Sequence, residues 1–300
     1  MNADAIETLA LSKHFAPGVG VSALTLSVPP GEVFGFLGPN GAGKTTTIRT
    51  LLGFLRPTGG EGRIFGLDVW QAREAVHARV GYLPGEVHLN PAWTAQELLA
   101  RGARLRGLRN VTYGLEVARR LDLDLTRRVG ALSKGNRQKV GVMLALMHRP
   151  DLLILDEPTD GLDPLVQDTV LALLREARAE GRTVFLSSHV LSEVERVADR
   201  VGIIRAGQLV RVDRLPDLKA SLPQRLHVTF AAAPRADLAA LPGLTVTRAG
   251  PLSVEGLWRG DPNPLLRALA GEQVRALSFT PSSLEDAFMD EYRTGGPHVA

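Results

Sequence analysis

The chain's 300 residues suffice for about two domains, and a hydrophobic share of 44% supplies ordinary buried cores, which excludes a disordered chain. Its 35 basic residues, only 5 of them lysine, are scattered among 32 acidic ones for a formal charge of +3, with no aromatic-interleaved basic stripe, so no nucleic-acid partner is expected. The absence of cysteine excludes disulfides, thiolate metal sites and a cysteine nucleophile, and apolar runs such as residues 142–147 stop far short of the ~20 residues of a membrane span.

From the N-terminus, the first fifteen residues have neither a basic start nor a continuous apolar core, so a signal peptide is not expected and the chain reads as cytoplasmic. Residues 24–28 and 32–37 have strand character, and the second run leads into a glycine loop followed by a helix over 44–55. Residues 85–147 carry few strand signals and several amphipathic helices, one over 94–105, and read as a helical insertion. The apolar runs 152–155 and 183–186 read as buried parallel strands separated by a helix over 165–179. A domain boundary is placed at residues 216 and 217. Beyond it the pattern is a strand (226–230), a helix (236–241), two strands (244–248 and 252–257), a helix (264–270) and a strand (274–279), the βαββαβ order of a ferredoxin-like domain. A last helix is expected over 282–292, opened by a capping box between Ser282 and Glu285.

The glycine loop reads Gly38-Pro39-Asn40-Gly41-Ala42-Gly43-Lys44-Thr45-Thr46 and satisfies G-x-x-x-x-G-K-[ST] between a strand and a helix. Its backbone N–H groups can wrap a phosphate at a helix start. Lys44 is expected at the β and γ phosphates of a nucleotide, Thr45 on Mg²⁺, and Thr46 at the α phosphate. The run at 152–155 ends in Asp156 and Glu157. Ligands of such sheets bind outside the carboxyl ends of the strands, so both acids are expected at the phosphate loop. Asp156 would hold the Mg²⁺ shell, and Glu157 would orient the water that attacks the γ phosphate.

Those two motifs fit kinases, GTPases, helicases and transport ATPases alike. A third, Leu132-Ser133-Lys134-Gly135-Asn136-Arg137-Gln138, lies at the end of the helical insertion, and there the sequence resembles the ABC ATPase family, whose signature usually reads LSGGQ. The resemblance covers residues 6–215. It implies a P-loop NTPase α/β fold, with a RecA-like sheet core, an antiparallel β subdomain and the helical insertion (about 86–147), followed by the small α+β domain at 217–300. It also implies a head-to-tail homodimer in which Ser133 and Gly135 of one copy meet the γ phosphate held by the other, and Asp163 of the 160–163 loop links the two sites. His189 matches the switch histidine that holds the γ phosphate and the attacking water. Phe15 stands where an aromatic stacks on adenine, though a lone aromatic there serves a core equally well.

Where the family usually has a glutamine, this chain has Gly85 followed by Glu86. Glu86 is read either as a substitute Mg²⁺ ligand or as a solvated loop acid. That loop and the LSKGN signature are similar to those of the bacterial exporter branch, which moves drugs, antibiotics or other hydrophobic compounds. The resemblance implies a separate multi-span permease as partner, which would hold the subunit at the inner face of the cell membrane. Two other readings stay open: a non-transport ABC ATPase acting on ribosomes or DNA, and a ligand-sensing or dimerising role for residues 217–300.

Overall fold

The computed structural model describes residues 3–281; the helix expected over 282–292 lies outside them. The contacts divide the chain between Arg214 and Leu215 into two compact units.

The first unit opens with β1 (Ile6–Ala16) and β2 (Val19–Val28), then β3 (Val33–Leu37) and α1 (Lys44–Leu51), then β4 (Gly59–Ile64) and β5 (Leu67–Asp68). Next come α2 (Arg73–Arg79) and β6 (Val80–Leu83), and after them the helical insertion, α3 (Ala95–Leu105), α4 (Thr112–Arg120) and α5 (Lys134–Leu146). The chain returns to the sheet through β7 (Leu152–Asp156), α6 (Pro164–Ala179), β8 (Thr183–Ser188), α7 (Leu191–Val194), β9 (Arg200–Arg205) and β10 (Gln208–Arg214).

Two sheets result, one in the order β2-β1-β4-β5 with antiparallel pairing and one in the order β10-β9-β3-β8-β7-β6. In the second, β6, β7, β8, β3 and β9 run parallel and β10 closes the edge antiparallel. Every residue of β3, β7 and β8 is buried, as strands covered on both faces must be, which is why these strands read as unbroken apolar runs. Phe185 of β8 stacks on Phe34 of β3 at 5.6 Å and tilts against Phe36 at 5.3 Å. Because β8 lies between β3 and β7, the carboxyl ends of all three strands open on one side of the sheet next to one another.

The structure moves several element ends. The second strand starts at Val19, earlier than expected, because it pairs along nearly all of β1. The first helix stops at Leu51, where Gly53 turns into the left-handed region and Phe54 N–H returns to the Arg49 carbonyl. The helix α3 begins after Thr94, whose hydroxyl accepts from Glu97 N–H while Glu97 accepts from Thr94 N–H.

The second unit contains α8 (Leu215–Ser221), β11 (Gln224–Phe230), β12 (Leu244–Gly250), β13 (Ser253–Trp258), α9 (Asn263–Leu269) and β14 (Val274–Pro281). Its antiparallel sheet has the order β12-β13-β11-β14, so each crossover steps over one strand, the split βαβ pattern. Leu226, Val228, Phe230, Val254 and Trp258 meet Leu265 and Leu269 of α9 in one core. The helix expected over 236–241 is only a 3₁₀ turn, Leu238–Ala240, capped by Asp237. Pro242 biases Leu241 before it to the extended conformation it adopts, which ends the turn, and Pro234 lies on its other side.

Candidate functional site

The phosphate loop crosses from the end of β3 into α1. Gly43, immediately before the helix, has φ +111°, and a Cβ there would lie 2.9 Å from the Val21 side chain, so only glycine fits. The loop is folded around its own lysine. Lys44, 6% exposed, donates from Nζ to the carbonyls of Gly38 at 2.6 Å and Pro39 at 3.3 Å, and its ammonium lies 3.2 Å from Glu157 Oε1. The next residue, Thr45, donates its hydroxyl to Asp156 Oδ2 at 2.7 Å.

Asp156 and Glu157 end β7 differently. Asp156 is buried, and its second oxygen accepts from Ser187 Oγ at 2.5 Å. Glu157 has a positive φ of 51°, a conformation that costs a non-glycine residue on the order of 1 kcal/mol or more. Its backbone is held from both sides: N–H donates to the Ser187 carbonyl at 3.2 Å, and its own carbonyl accepts from Gln138 Nε2 at 3.1 Å. With the backbone so fixed, the carboxylate spans two partners, Lys44 through Oε1 and His189 Nδ1 through Oε2 at 2.8 Å. Thus β3, β8 and β7 each deliver one member of a Lys44–Glu157–His189 chain.

A cavity of about 290 Å³ opens over Lys44, Thr45, Asp156 and Glu157. Its walls include Phe15, the exposed surfaces of Pro39 to Gly41, Gly43 to Thr46, Gly85, Asp156 and Glu157. Gly38 and Ala42 are buried behind the loop. Phe15, at the end of β1, is 58% exposed with the Lys13 ammonium 5.3 Å from its ring centre, so it is not a core residue. Four expected site residues lie elsewhere. Ser133 caps α5 by accepting from Asn136 N–H, Gly135 follows in its first turn, and Asp163 caps α6 by accepting from Val166 N–H. Glu86 is outside the cavity lining; its side chain is 84% exposed, with the His88 imidazole 3.9 Å away. Gly85, not Glu86, faces the acids, and a Cβ on it would come within 3.2 Å of Asp156 Oδ2.

Three contributors were given no role by the sequence. Ser187 orients Asp156, Gln138 holds the Glu157 carbonyl, and Glu193, buried behind the acids, accepts a short hydrogen bond from Thr159. Burial, reinforced by the charge of Glu157, pushes the Glu193 carboxyl above the usual range despite that bond. The available signal was a polar residue in a buried run: Gln138 on the apolar side of α5 and Ser187 within β8.

The same unit holds a second, larger cavity of about 440 Å³, where α3 and α5 meet the sheet. Its lining is largely apolar, with Phe54, Tyr82, Trp93 and Leu105 among its residues. Phe54 is 53% and Leu105 89% exposed, and the Arg101 guanidinium lies 4.0 Å from the Trp93 ring centre.

The hard oxygen pair of Thr45 and Asp156 beside a phosphate-wrapping loop suits a nucleotide triphosphate, and known proteins agree. A sequence profile described as "ABC transporter" matches residues 21–160. The bacitracin transport ATP-binding protein BcrA of Bacillus licheniformis is 39% identical over 208 residues, covering 68% of both chains. The daunorubicin/doxorubicin resistance ATP-binding protein DrrA of Streptomyces peucetius is 35% identical, covering 95% of this chain and 91% of its own. The Nod factor export ATP-binding protein I of Cupriavidus pinatubonensis is 33% identical over 95% of this chain and 89% of its own. Among solved structures, an ATP-binding subunit of an ABC transporter superposes with a TM-score of 0.67 at 31% identity, covering 72% of this chain and 92% of that one. With a phosphate loop and an acidic strand end lining one cavity, a strand-end histidine bonded to the second acid, and relatives of this extent, the chain belongs to the ABC transporter family as an ATP-binding, ATP-hydrolysing subunit.

Proposed function

We propose that this subunit powers the export of a drug, an antibiotic or another hydrophobic compound through a separate multi-span permease, working as a head-to-tail homodimer. The observation that carries the reading is the single cavity in which Lys44, Thr45, Asp156, Glu157 and Phe15 converge, while Ser133 and Gly135 stand outside it at the start of another helix. One copy then supplies the cradle and its twin the seal. The names of BcrA, DrrA and the Nod factor proteins support the exporter reading.

In this scheme the amides of residues 38–46 hold the phosphates, and Lys44 exchanges Glu157 for the β and γ phosphates. Thr45 and Asp156 would hold Mg²⁺, the remaining places falling to phosphate oxygens and water. The ion supplies charge neutralisation on the transferring phosphoryl group. Released by Lys44, the Glu157 carboxylate orients the attacking water and His189 keeps it in place. Phe15 stacks on adenine; Ser133 and Gly135 of the twin donate to the γ phosphate, and Asp163 joins the two sites. The exposed apolar rim of the second cavity seats the permease, with residues 1–214 as the engine and 215–300 as an accessory dimerisation domain. The subunit would thereby be held at the inner face of the membrane.

Mixed dimers test the sharing of sites. Lys44→Ala destroys the cradle, and Ser133→Asp repels phosphate while still capping α5. Each variant alone is expected to be inactive. Co-expressed, they form one intact site per mixed dimer and regain Mg·ATP hydrolysis; no regain in a purified mixed dimer overturns the head-to-tail reading. Co-purification with a membrane-spanning subunit tests the transport reading, and salt-sensitive nucleic-acid binding in its place would favour the ribosome or DNA class.

A further inference from the structure

The segment between β7 and α6, residues 157–163, carries Glu157 at one end and Asp163 at the other, and its internal bonds are few. Asp160 N–H reaches the Glu157 carbonyl and Leu162 N–H the Thr159 carbonyl, each at 3.2 Å. Bonds to other elements fasten it: Glu157 N–H to the Ser187 carbonyl, the Thr159 hydroxyl to Glu193, and several from one face of α5. Gln138 donates to the carbonyls of Glu157 at 3.1 Å and Pro158 at 3.3 Å. One turn earlier on that face, Lys134 Nζ donates to Asp160 Oδ2 at 2.6 Å. The Lys134 stem lies 3.4–3.6 Å from the position a Cβ of Gly161 would take. Gly135 allows this proximity, because a Cβ there would fall 2.7 Å from the Gly161 carbonyl oxygen.

The lysine occupies a signature position where glycine is usual, so the bond to Asp160 is one that a glycine there could not make. A cation in the first turn of a helix is disfavoured by the helix dipole, and α5 has no acid in its first turn to offset it; Asp160 supplies that charge from outside the helix. We propose that Lys134 is a positioning residue for ATP hydrolysis: by gripping Asp160 it fixes the Glu157–Asp163 segment to the helix that begins at Ser133, so that the two half-sites of one subunit move as one body. The inference rests on the shared-site reading above and adds the route by which closure on the twin's nucleotide is felt at the subunit's own Glu157. The hydrogen bond to Asp160, with the fields of Asp160 and then Glu86, holds the Lys134 ammonium above the usual lysine range, so the grip persists throughout the neutral range.

Lys134 and Asp160 are 65% and 40% exposed, so the pair is a surface ion pair and a moderate effect is expected. In the full-length subunit with its membrane partner, Lys134→Met and Asp160→Asn should each lower kcat by roughly 2- to 5-fold with KM unchanged. The exchanged pair, Lys134→Asp with Asp160→Lys, should recover most of the loss, and the differences should fade in 1 M salt, where screening acts over about 3 Å. Amide hydrogen exchange over residues 157–163 should rise in Lys134→Met and return in the exchanged pair. A wild-type kcat in Lys134→Met, a loss confined to KM, or an exchanged pair no better than the single variants overturns the proposal. Glu157→Gln and the mixed dimers probe the underlying reading separately: if those fail while exchange over 157–163 still follows the ion pair, the grip stands and its link to hydrolysis falls.

Discussion

Replacing Glu157 by glutamine keeps the shape of the side chain and removes its charge, and the geometry predicts two opposite effects. The carboxylate lies 3.2 Å from the Lys44 ammonium, with the two side chains 18% and 6% exposed. At an effective dielectric of 20 that separation is worth about 5 kcal/mol of gross attraction. Desolvation of both charges offsets most of it, leaving a net of roughly 1–2 kcal/mol that an incoming triphosphate must displace. The Glu157→Gln subunit should therefore bind ATP about 5- to 30-fold more tightly, while turnover falls by roughly 10²- to 10⁴-fold because no carboxylate orients the water. Calorimetric titration with Mg·ATP reads the first effect, and phosphate release in a single turnover the second. ADP, titrated in parallel, separates the loop's own gain from sealing of the pair, since only the triphosphate extends to the twin's Ser133. Hydrolysis at the wild-type rate would refute the role given to Glu157, and unchanged ADP affinity would refute competition for Lys44.

Burial, reinforced by the charges of Arg106 and Arg182 and partly opposed by a bond to the Val80 carbonyl, lowers the His148 imidazole from 6.5 to about 4. The unfolded chain thus binds the extra proton first, so this contribution to stability is complete above about pH 6.5 and is lost as pH falls toward 4. The full shift is worth roughly 3 kcal/mol, and partial exposure leaves about 1–2 kcal/mol. Urea midpoints at pH 7.5 and 4.5 should differ more in the wild type than in His148→Gln; equal differences would contradict the assignment. Phe15→Ala should weaken ATP binding by about 10-fold with little change in stability, in keeping with base stacking worth about 1–3 kcal/mol, and undiminished affinity would remove Phe15 from the nucleotide site. Phe54→Ser with Leu105→Ser should leave ATP binding intact and abolish co-purification with the permease; retention of the complex would mean that the partner seats elsewhere.

The chemistry-bearing loops were legible because each needs special residues at fixed spacing. The buried strands were legible because parallel strands covered on both faces must be apolar throughout. What placed the acids beside the phosphate loop was strand order, and nothing in residues 33–37, 152–156 and 183–188 states that β8 falls between β3 and β7. Nor could the sequence show that Lys44 is already engaged by Glu157, since the residues are more than a hundred positions apart and the Glu157 backbone takes a positive φ that nothing in its neighbours announces. The long pairing of β1 with β2 was hidden by breaks in alternation where the register shifts. The short turn at 238–240 was misread because alanine-rich sequence outweighed the prolines that bracket it.

The tight meeting of Gly135 with the Gly161 carbonyl bears on how inactive variants should be interpreted. Any side chain at 135 must push the 157–163 segment away, disturbing the carboxylate that serves the same subunit's nucleotide. A dead Gly135 variant would ordinarily be scored as a broken handshake with the second copy, yet its injury begins at home. Genetic dissection of who serves whom should accordingly lean on Ser133, whose alteration to aspartate leaves that internal seam untouched.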